Sequence, residues 1–209
     1  MAWRIIACAL VGYLCGCLNG AIVISRLTQH EDVREKGSGN AGLTNFLRNY
    51  GGAVTLLVML LDVGKVVAAA FLGKLLWADE PELAKMLAGV CAMAGHIFPV
   101  FFGFRGGKGI LSGAAVAAVM DWRVFAILIT VFLIAFLLTR YVSLGSILAA
   151  SGFPVAFAIF FPKEPLIWLM AAVIGALAVF MHRGNIQRLL KGTERKTYLH
   201  KSKNKEDAQ

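Results

Sequence analysis

The sequence predicts an all-α integral membrane protein with about seven transmembrane helices. Of its 209 residues, 58% are hydrophobic, and the mean hydropathy is +0.71, well above the value for an ordinary soluble domain. Long apolar runs recur along the chain, and their lengths suit a hydrocarbon core about 30 Å thick. A third observation, the uneven distribution of positive charge, predicts how these helices are oriented.

Seven apolar runs define the predicted helices. They cover residues 3–25, 53–76, 83–103, 109–120, 124–138, 143–161 and 166–181. The first run resembles a signal peptide but lacks a convincing cleavage site, so we expect it to remain as the first helix. A helix over residues 109–120 is too short to cross the hydrocarbon core at about 1.5 Å per residue, and we expect it to be tilted or half-inserted.

Positive charge predicts the two sides of the membrane. Fifteen of the 21 lysines and arginines fall in one set of alternate connections and in the C-terminal tail, and basic residues accumulate on cytoplasmic flanks. The N-terminus is therefore expected outside and the C-terminus in the cytoplasm. We expect residues 1–196 to form one polytopic membrane domain and residues 197–209 a basic cytoplasmic tail. Topology thus explains the net charge of +9, and we expect no nucleic-acid partner.

Three clusters of polar and glycine residues fall on this cytoplasmic face, each where an apolar run ends. The first, residues 37–48, reads Gly-Ser-Gly-Asn-Ala-Gly-Leu-Thr-Asn-Phe-Leu-Arg. Its glycines spell a dinucleotide-binding fingerprint, but no strand precedes them, so that match is weak. Glycines still let a backbone approach an anion, and Thr44 and Arg48 share one face of a predicted short helix. A glycine-rich loop with a capping serine is an equal alternative for this segment alone.

The second cluster, residues 104–109, reads Phe-Arg-Gly-Gly-Lys-Gly. It departs from a Walker A loop in its glycine spacing and in having Gly109 where magnesium binding needs Ser or Thr, so an ATPase is not expected. Lys108 and the glycine N–H groups precede a predicted helix, an arrangement that favours phosphate. A basic membrane flank with a glycine hinge is the alternative.

The third cluster, residues 182–185, reads His-Arg-Gly-Asn. His182 and Asn185 are three apart, so a continued helix places both on one face. A lone histidine at a helix end is commonly a surface group, but the other two clusters favour a shared site. His96, at the end of the third run, has either a site role or a packing role.

Asp62 and Lys65 lie near the middle of the second apolar run. Charges are costly there, and their i, i+3 spacing predicts an ion pair that faces the helix bundle and serves structure. The alternative from another class is a transporter for organic phosphates, in which these charges gate transport. The sequence contains no convincing repeat of the kind transporters have. A CDP-alcohol phosphotransferase is a further alternative, but its carboxylate-rich metal signature is absent.

The order of the clusters along the chain and their residue sequences point to a family. Residues 37–45, residues 94–101 with residues 104–109, and residues 182–186 with residues 192–194 resemble the three motifs of the bacterial acyl-phosphate:glycerol-3-phosphate acyltransferases, the PlsY family. The similarity spans nearly the whole chain. It implies a multi-helix enzyme of the bacterial inner (plasma) membrane with its active site on the cytoplasmic face.

The resemblance also implies the reaction. Enzymes of this family transfer a fatty acyl group from acyl phosphate to the 1-hydroxyl of glycerol 3-phosphate, giving lysophosphatidic acid and phosphate. The expected partners are therefore glycerol 3-phosphate, a long-chain acyl phosphate and the lipid bilayer, with a functional link to the enzyme that makes acyl phosphate. No cofactor and no metal are expected.

Site residues follow from the motifs together with this resemblance. The residues expected in catalysis are His182, Asn185 and Ser38. The residues expected to bind substrate are Gly37, Gly39, Asn40, Gly42, Thr44, Asn45, Arg48, Arg105, Gly106, Gly107, Lys108 and Gly109. Asp62, Lys65 and Glu194 are expected to be structural. Either His182 or a substrate phosphate accepts the hydroxyl proton. Ser38 has no evident Asp-His relay, which favours substrate binding over a covalent role.

Overall fold

The computed structural model describes residues 1–197, so most of the predicted basic tail lies outside the described residues. This part of the chain is helical and contains no strand. Its α-helices are α1 (Ala2–Cys17), α2 (Gly20–Gln29), α3 (Leu43–Tyr50), α4 (Gly52–Leu76), α5 (Pro81–Ile97), α6 (Ile110–Met120), α7 (Trp122–Thr139), α8 (Val142–Phe160), α9 (Pro165–Met181) and α10 (Arg183–Leu190). Two short 3-10 helices cover Val33–Glu35 and Val100–Phe102. All seven predicted apolar runs contain helix. The first, predicted as one helix over residues 3–25, is instead interrupted between α1 and α2, and α5 ends at Ile97, before the end of the third run.

The number of membrane crossings depends on how three helices are counted. Within the described chain, five segments are long and apolar enough to cross a membrane, namely Ala2–Gln29, Gly52–Leu76, Pro81–Phe102, Trp122–Thr139 and Val142–Phe160. Together α9 and α10 qualify as a sixth, although they are bent by 55°. The 11 residues of α6 extend only about 16 Å, so seven crossings and their orientation stay predictions.

Close backbone packing joins α1 to α5. A Cβ atom on Gly16 would lie 2.0 Å from the Ala92 carbonyl oxygen, and one on Gly95 would lie 2.2 Å from the Tyr13 carbonyl oxygen. Only glycine permits this approach, and small residues are typical of helix interfaces in membranes, where hydrophobic burial between helices gains little over lipid. Helices α1, α4 and α5 therefore form one closely packed unit.

The second unit is built around α8, which packs between α7 and α9. Fully buried side chains such as Met93, Val116, Phe157 and Ile174 join it to α5 and α6 in one apolar core. Two helix interruptions, one between α1 and α2 and one between α9 and α10, bring polar residues to the margin of this core. These interruptions position the candidate site.

Candidate active site

A cavity of about 1080 Å³ lies where the three predicted clusters meet. One part of it is polar, lined by the loop before α3, the beginning of α6 and the first turns of α10. The other part is apolar and lies among α6, α7, α8 and α9, with Leu128, Phe153 and Ile174 in its wall. The cavity is therefore suited to a ligand with a charged head and a long apolar chain.

The structure brings together most of the residues that the sequence singled out. The predicted residues that line the cavity are Gly37, Ser38, Gly39, Asn40, Gly42, Thr44, Asn45, Arg48, Asp62, Lys108, Gly109, His182, Asn185 and Glu194. His96 also lines it. Four predicted residues are not part of the lining, namely Lys65, Arg105, Gly106 and Gly107.

The positions of Gly106 and Gly107 correct the expectation that their N–H groups bind phosphate. The Gly106 N–H donates to the Ile97 carbonyl at 3.0 Å, and the Gly107 N–H donates to the His96 carbonyl at 3.1 Å. These bonds fold the loop back onto the end of α5. Arg105 is exposed outside the cavity, where its carbonyl accepts a hydrogen bond from Arg34. In this cluster, Lys108 and Gly109 alone reach the cavity.

Asn45 organises the first cluster. Its side-chain nitrogen donates to the Val33 and Lys36 carbonyls, each at 3.1 Å, and its side-chain oxygen accepts the Ser38 N–H at 2.9 Å. The amide that was expected to bind substrate is thus engaged with the loop backbone. Its effect is to present the exposed Ser38 to the cavity.

Two helix N-termini face the cavity. In α3 the first helical hydrogen bond runs from Phe46 N–H to the Gly42 carbonyl, and in α6 from Gly113 N–H to the Gly109 carbonyl. The N–H groups of the preceding residues therefore lack partners within their helices, as at any helix N-terminus. Such N-termini attract anions through these donors and through the helix dipole.

A chain of hydrogen bonds joins the second cluster to the third. Lys108 Nζ donates to Asn185 Oδ1, and Asn185 Nδ2 donates to Glu194 Oε1 at 2.7 Å. Glu194 Oε1 also accepts from the Ser143 hydroxyl at 2.8 Å, while its other oxygen accepts from Arg188 Nε at 2.7 Å. Glu194 therefore sets the orientation of the Asn185 amide.

Positive charge is concentrated at the polar part of the cavity. Arg48, Lys108 and Arg188 all line it, and Arg48 donates to the Thr197 hydroxyl at 2.6 Å. Burial, followed by the charge of Arg188, lowers the pKa of Lys108 to about 8, while Glu194 opposes this shift. The sequence did not predict a site role for Arg188, because an arginine three residues after Asn185 is typical of an exposed helix face. Ser143 gave no signal in the sequence.

His182 lies at the bend between α9 and α10 and is buried. Its Nδ1 is 2.7 Å from the Ala178 carbonyl oxygen, which can only accept, so Nδ1 carries the proton. In the neutral imidazole the other ring nitrogen, Nε2, is then a hydrogen-bond acceptor, and His182 is part of the cavity lining. The bend replaces the straight helix that was expected to align His182 with Asn185.

Comparison with known proteins identifies the family. The family model for glycerol-3-phosphate acyltransferase matches residues 6–192. The chain belongs to the glycerol-3-phosphate acyltransferase family. A relative of that name from Thermoanaerobacter sp. (strain X514) is 40% identical over 188 residues, covering 90% of this chain and 93% of the relative. Another, from Shouchella clausii (strain KSM-K16), is 40% identical over 199 residues, covering 94% and 97%.

Solved structures support the same family and confirm the predicted fold class. The crystal structure of PlsY (YgiH), an integral membrane glycerol 3-phosphate acyltransferase, in its glycerol 3-phosphate form matches with a TM-score of 0.81 and 34% identity. The match covers 93% of this chain and 96% of that one. The lysophosphatidic acid form matches with a TM-score of 0.80, also at 34% identity. As a member of this family, the chain is a multi-pass membrane acyltransferase.

Proposed function

We propose that this acyltransferase transfers the acyl group of a long-chain acyl phosphate to the 1-hydroxyl of glycerol 3-phosphate. The products are lysophosphatidic acid and phosphate, and the reaction begins phospholipid synthesis. The observation that carries this proposal is the cavity itself, in which Arg48, Lys108 and two helix N-termini adjoin an apolar channel. Both proposed substrates carry phosphate, and one also carries an acyl chain.

The two parts of the cavity divide the substrates between them. The acyl chain lies along the apolar wall that includes Leu128 and Phe153, while both phosphates lie at the cationic part. We place the site on the cytoplasmic face of the bacterial inner membrane. The three clusters belong to the connections rich in Lys and Arg, and such connections are usually cytoplasmic. Glycerol 3-phosphate then enters from water and the acyl donor from lipid. An enzyme that makes acyl phosphate must supply this donor.

The chemistry requires little acid catalysis. Acyl phosphate is a mixed anhydride whose phosphate departs readily as an anion. The hydroxyl oxygen of glycerol 3-phosphate attacks the acyl carbon, the bond from that carbon to the phosphate oxygen breaks, and the hydroxyl proton leaves. Arg48 and Lys108 neutralise the phosphates, and the Ser38 hydroxyl and helix N–H groups are donors for the developing oxyanion. No acyl-enzyme is formed.

A substrate phosphate is the proposed proton acceptor. His182 Nε2 accepts a hydrogen bond from the neighbouring 2-hydroxyl of glycerol 3-phosphate and so aligns the attacking 1-hydroxyl, whose own proton goes to the phosphate. Asn185 holds Lys108 in place. A phosphate near the hydroxyl is itself a base and is delivered with each substrate. The histidine therefore positions the nucleophile without having to be protonated in the cycle.

An assay with purified protein tests the reaction. The protein is incubated with palmitoyl phosphate and radiolabelled glycerol 3-phosphate, and labelled lysophosphatidic acid is measured. Product is expected with no other protein present. No product is expected when acyl-CoA or an acyl thioester of acyl-carrier protein replaces the acyl phosphate. Equal turnover with acyl-CoA would overturn the assignment of the donor.

Cysteine labelling tests the placement of the site. Ser38, Lys108 and the exposed Arg183, which adjoins the buried His182, are replaced singly by Cys in a variant that lacks the four native cysteines. Intact cells are then treated with a membrane-impermeant maleimide. All three positions are expected to be protected until the membrane is permeabilised, with Asp79→Cys labelled in intact cells as the matched control. Labelling of any of the three from outside would contradict a cytoplasmic site.

A further inference from the structure

Three buried polar side chains lie beside the cavity and have no role in the reaction described above. Asp62, Lys65 and His96 are only 1%, 7% and 3% exposed, respectively. Burying an ion pair among membrane helices costs free energy unless each charge is fully paired. Such a cluster therefore needs a reason beyond the stability of α4.

The hydrogen bonds of Lys65 define the state of His96. Lys65 Nζ lies 2.7 Å from Asp62 Oδ1, 3.0 Å from the Leu18 carbonyl oxygen and 3.0 Å from His96 Nδ1. A charged ammonium group has three donors and no acceptor, so with Lys65 charged all three are used and His96 Nδ1 accepts. His96 Nδ1 also lies 3.5 Å from Asp62 Oδ1, a longer distance than any of the three contacts of Lys65. The imidazole proton consequently lies on Nε2, and the ring is held in one orientation.

The same ion pair binds the backbone groups that are freed at the break between α1 and α2. A helix break frees backbone N–H and carbonyl groups, which must find partners because lipid supplies none. Lys65 bonds the freed Leu18 carbonyl, and the Gly20 N–H donates to Asp62 Oδ1 at 3.0 Å. Between them, the Asn19 side chain donates to the Ala41 carbonyl of the first cluster at 3.2 Å.

His96 connects this scaffold to the second cluster. Its carbonyl accepts the Gly107 N–H, and its ring lies directly against Gly107. A Cβ atom on Gly107 would be 2.2 Å from His96 Nε2 and 2.7 Å from the Ala41 carbonyl oxygen. The imidazole thus fills the space between the first cluster and the residue that precedes Lys108.

We propose that His96, oriented by the Asp62–Lys65 ion pair, is a positioning residue that sets the place of Lys108 for phosphate binding. The ring lies behind Gly107, so its loss lets the loop of residues 104–109 move away from the first cluster. Lys108 moves with that loop, away from Arg48 and from the N-terminus of α3. This inference rests on the proposed function, and it assigns to Lys108 the phosphate of glycerol 3-phosphate, the substrate that enters from water.

Two variants at this position separate the contacts of the ring. His96→Ala removes both ring nitrogens, whereas His96→Asn places its side-chain oxygen near the position of Nδ1 and keeps an acceptor for Lys65. His30→Asn is the matched control, because His30 is an exposed residue in the left-handed region at the end of α2, where Asn is well tolerated. All three are purified alongside the wild-type protein.

Steady-state kinetics in both substrates provides the test. In His96→Ala the KM for glycerol 3-phosphate is expected to rise by about tenfold or more, the size of one lost charge-assisted contact, with a much smaller change in the KM for acyl phosphate. Loss of the Lys108 charge at high pH is expected to raise this KM. A displaced Lys108 regains water, so its pKa and the pH at which the KM begins to rise are both expected to move upward. His96→Asn is expected to recover part of the affinity, and His30→Asn to match wild type.

Three outcomes would overturn the positioning role. One is a KM for glycerol 3-phosphate in His96→Ala that stays within about twofold of wild type at every pH. Another is equal loss for both substrates with no recovery in His96→Asn. The third is failure of both variants to fold, which would assign His96 to folding. An inactive wild-type protein would instead reject the proposed function, so the two failures are distinct.

Discussion

Lys108 donates a hydrogen bond to the side-chain oxygen of Asn185, which is 77 residues away in the chain. This contact joins the loop before α6 to the first turn of α10. Because the Asn185 nitrogen donates to Glu194, the amide oxygen can point only toward Lys108. A residue outside the three glycine-rich clusters thus determines how two of them meet.

Glu194 is expected to act through its oxygen atoms more than through its charge. Glu194→Gln retains an acceptor for the Asn185 and Ser143 donors, whereas Glu194→Ala removes it and leaves buried donors without partners. We expect kcat/KM to fall by about tenfold or more in Glu194→Ala and only a few-fold in Glu194→Gln. Steady-state assays of both variants check this, and equal losses would show that charge dominates.

Arg48→Ala is expected to abolish turnover. The guanidinium lies at the polar part of the cavity and is the one cationic side chain within the first cluster, residues 37–48. Removing it leaves a substrate phosphate without its bidentate partner. Arg48→Lys should recover little, because an ammonium group cannot form the same paired bonds. Near-normal kinetics in Arg48→Ala would count heavily against the phosphate assignment.

Two cationic residues of the same loop are expected to differ in their contribution to activity. Lys108 reaches the cavity, whereas Arg105 is exposed outside it. Lys108→Ala is therefore expected to lower kcat/KM at least about tenfold more than Arg105→Ala does. The comparison is well matched, since both residues lie in residues 104–109. Equal losses would show that Arg105 turns into the cavity when substrate binds.

Binding of glycerol 3-phosphate is expected to weaken above about pH 8. Lys108 is charged below its pKa of about 8 and neutral above it, so attraction for phosphate is present at neutral pH and lost as the pH rises. The substrate phosphate completes its ionisation at about pH 6, so its own charge does not change in this range. The KM should rise through this range. In Lys108→Arg the rise should disappear, because arginine does not titrate there.

The α1–α5 contact is expected to depend on glycine. Gly16→Val places a side chain where the Ala92 carbonyl lies, so the helices must separate and the thermal midpoint in detergent should fall by many degrees. Gly64→Ala is the matched control, because nothing lies within 4 Å of a Cβ atom there. That change is expected to be neutral or to stabilise α4 by about 0.5–1 kcal/mol. A stable Gly16→Val protein would contradict the close packing.

Much of the site could be predicted because its residue types are unusual at membrane helix ends. Ser38, Arg48, Lys108, His182 and Asn185 were all singled out in this way, and all line one cavity. The prediction of free N–H groups at Gly106 and Gly107 was wrong, because both groups donate to carbonyls at the end of α5. The sequence does not show that these carbonyls face the loop. Ser143 and Arg188 were missed because their types and spacing are ordinary.

By itself the sequence determined the helical membrane class, the approximate positions of the apolar helices and the residue types of the candidate site. These are local properties, set by hydropathy over about 20 residues and by the chemistry of single side chains. Only the tertiary structure decided which donors remain free, how the chain bends between α9 and α10, and what His96 contacts. Those features depend on backbone groups from distant segments, such as the Leu18 and Ile97 carbonyls, whose partners are chosen by packing.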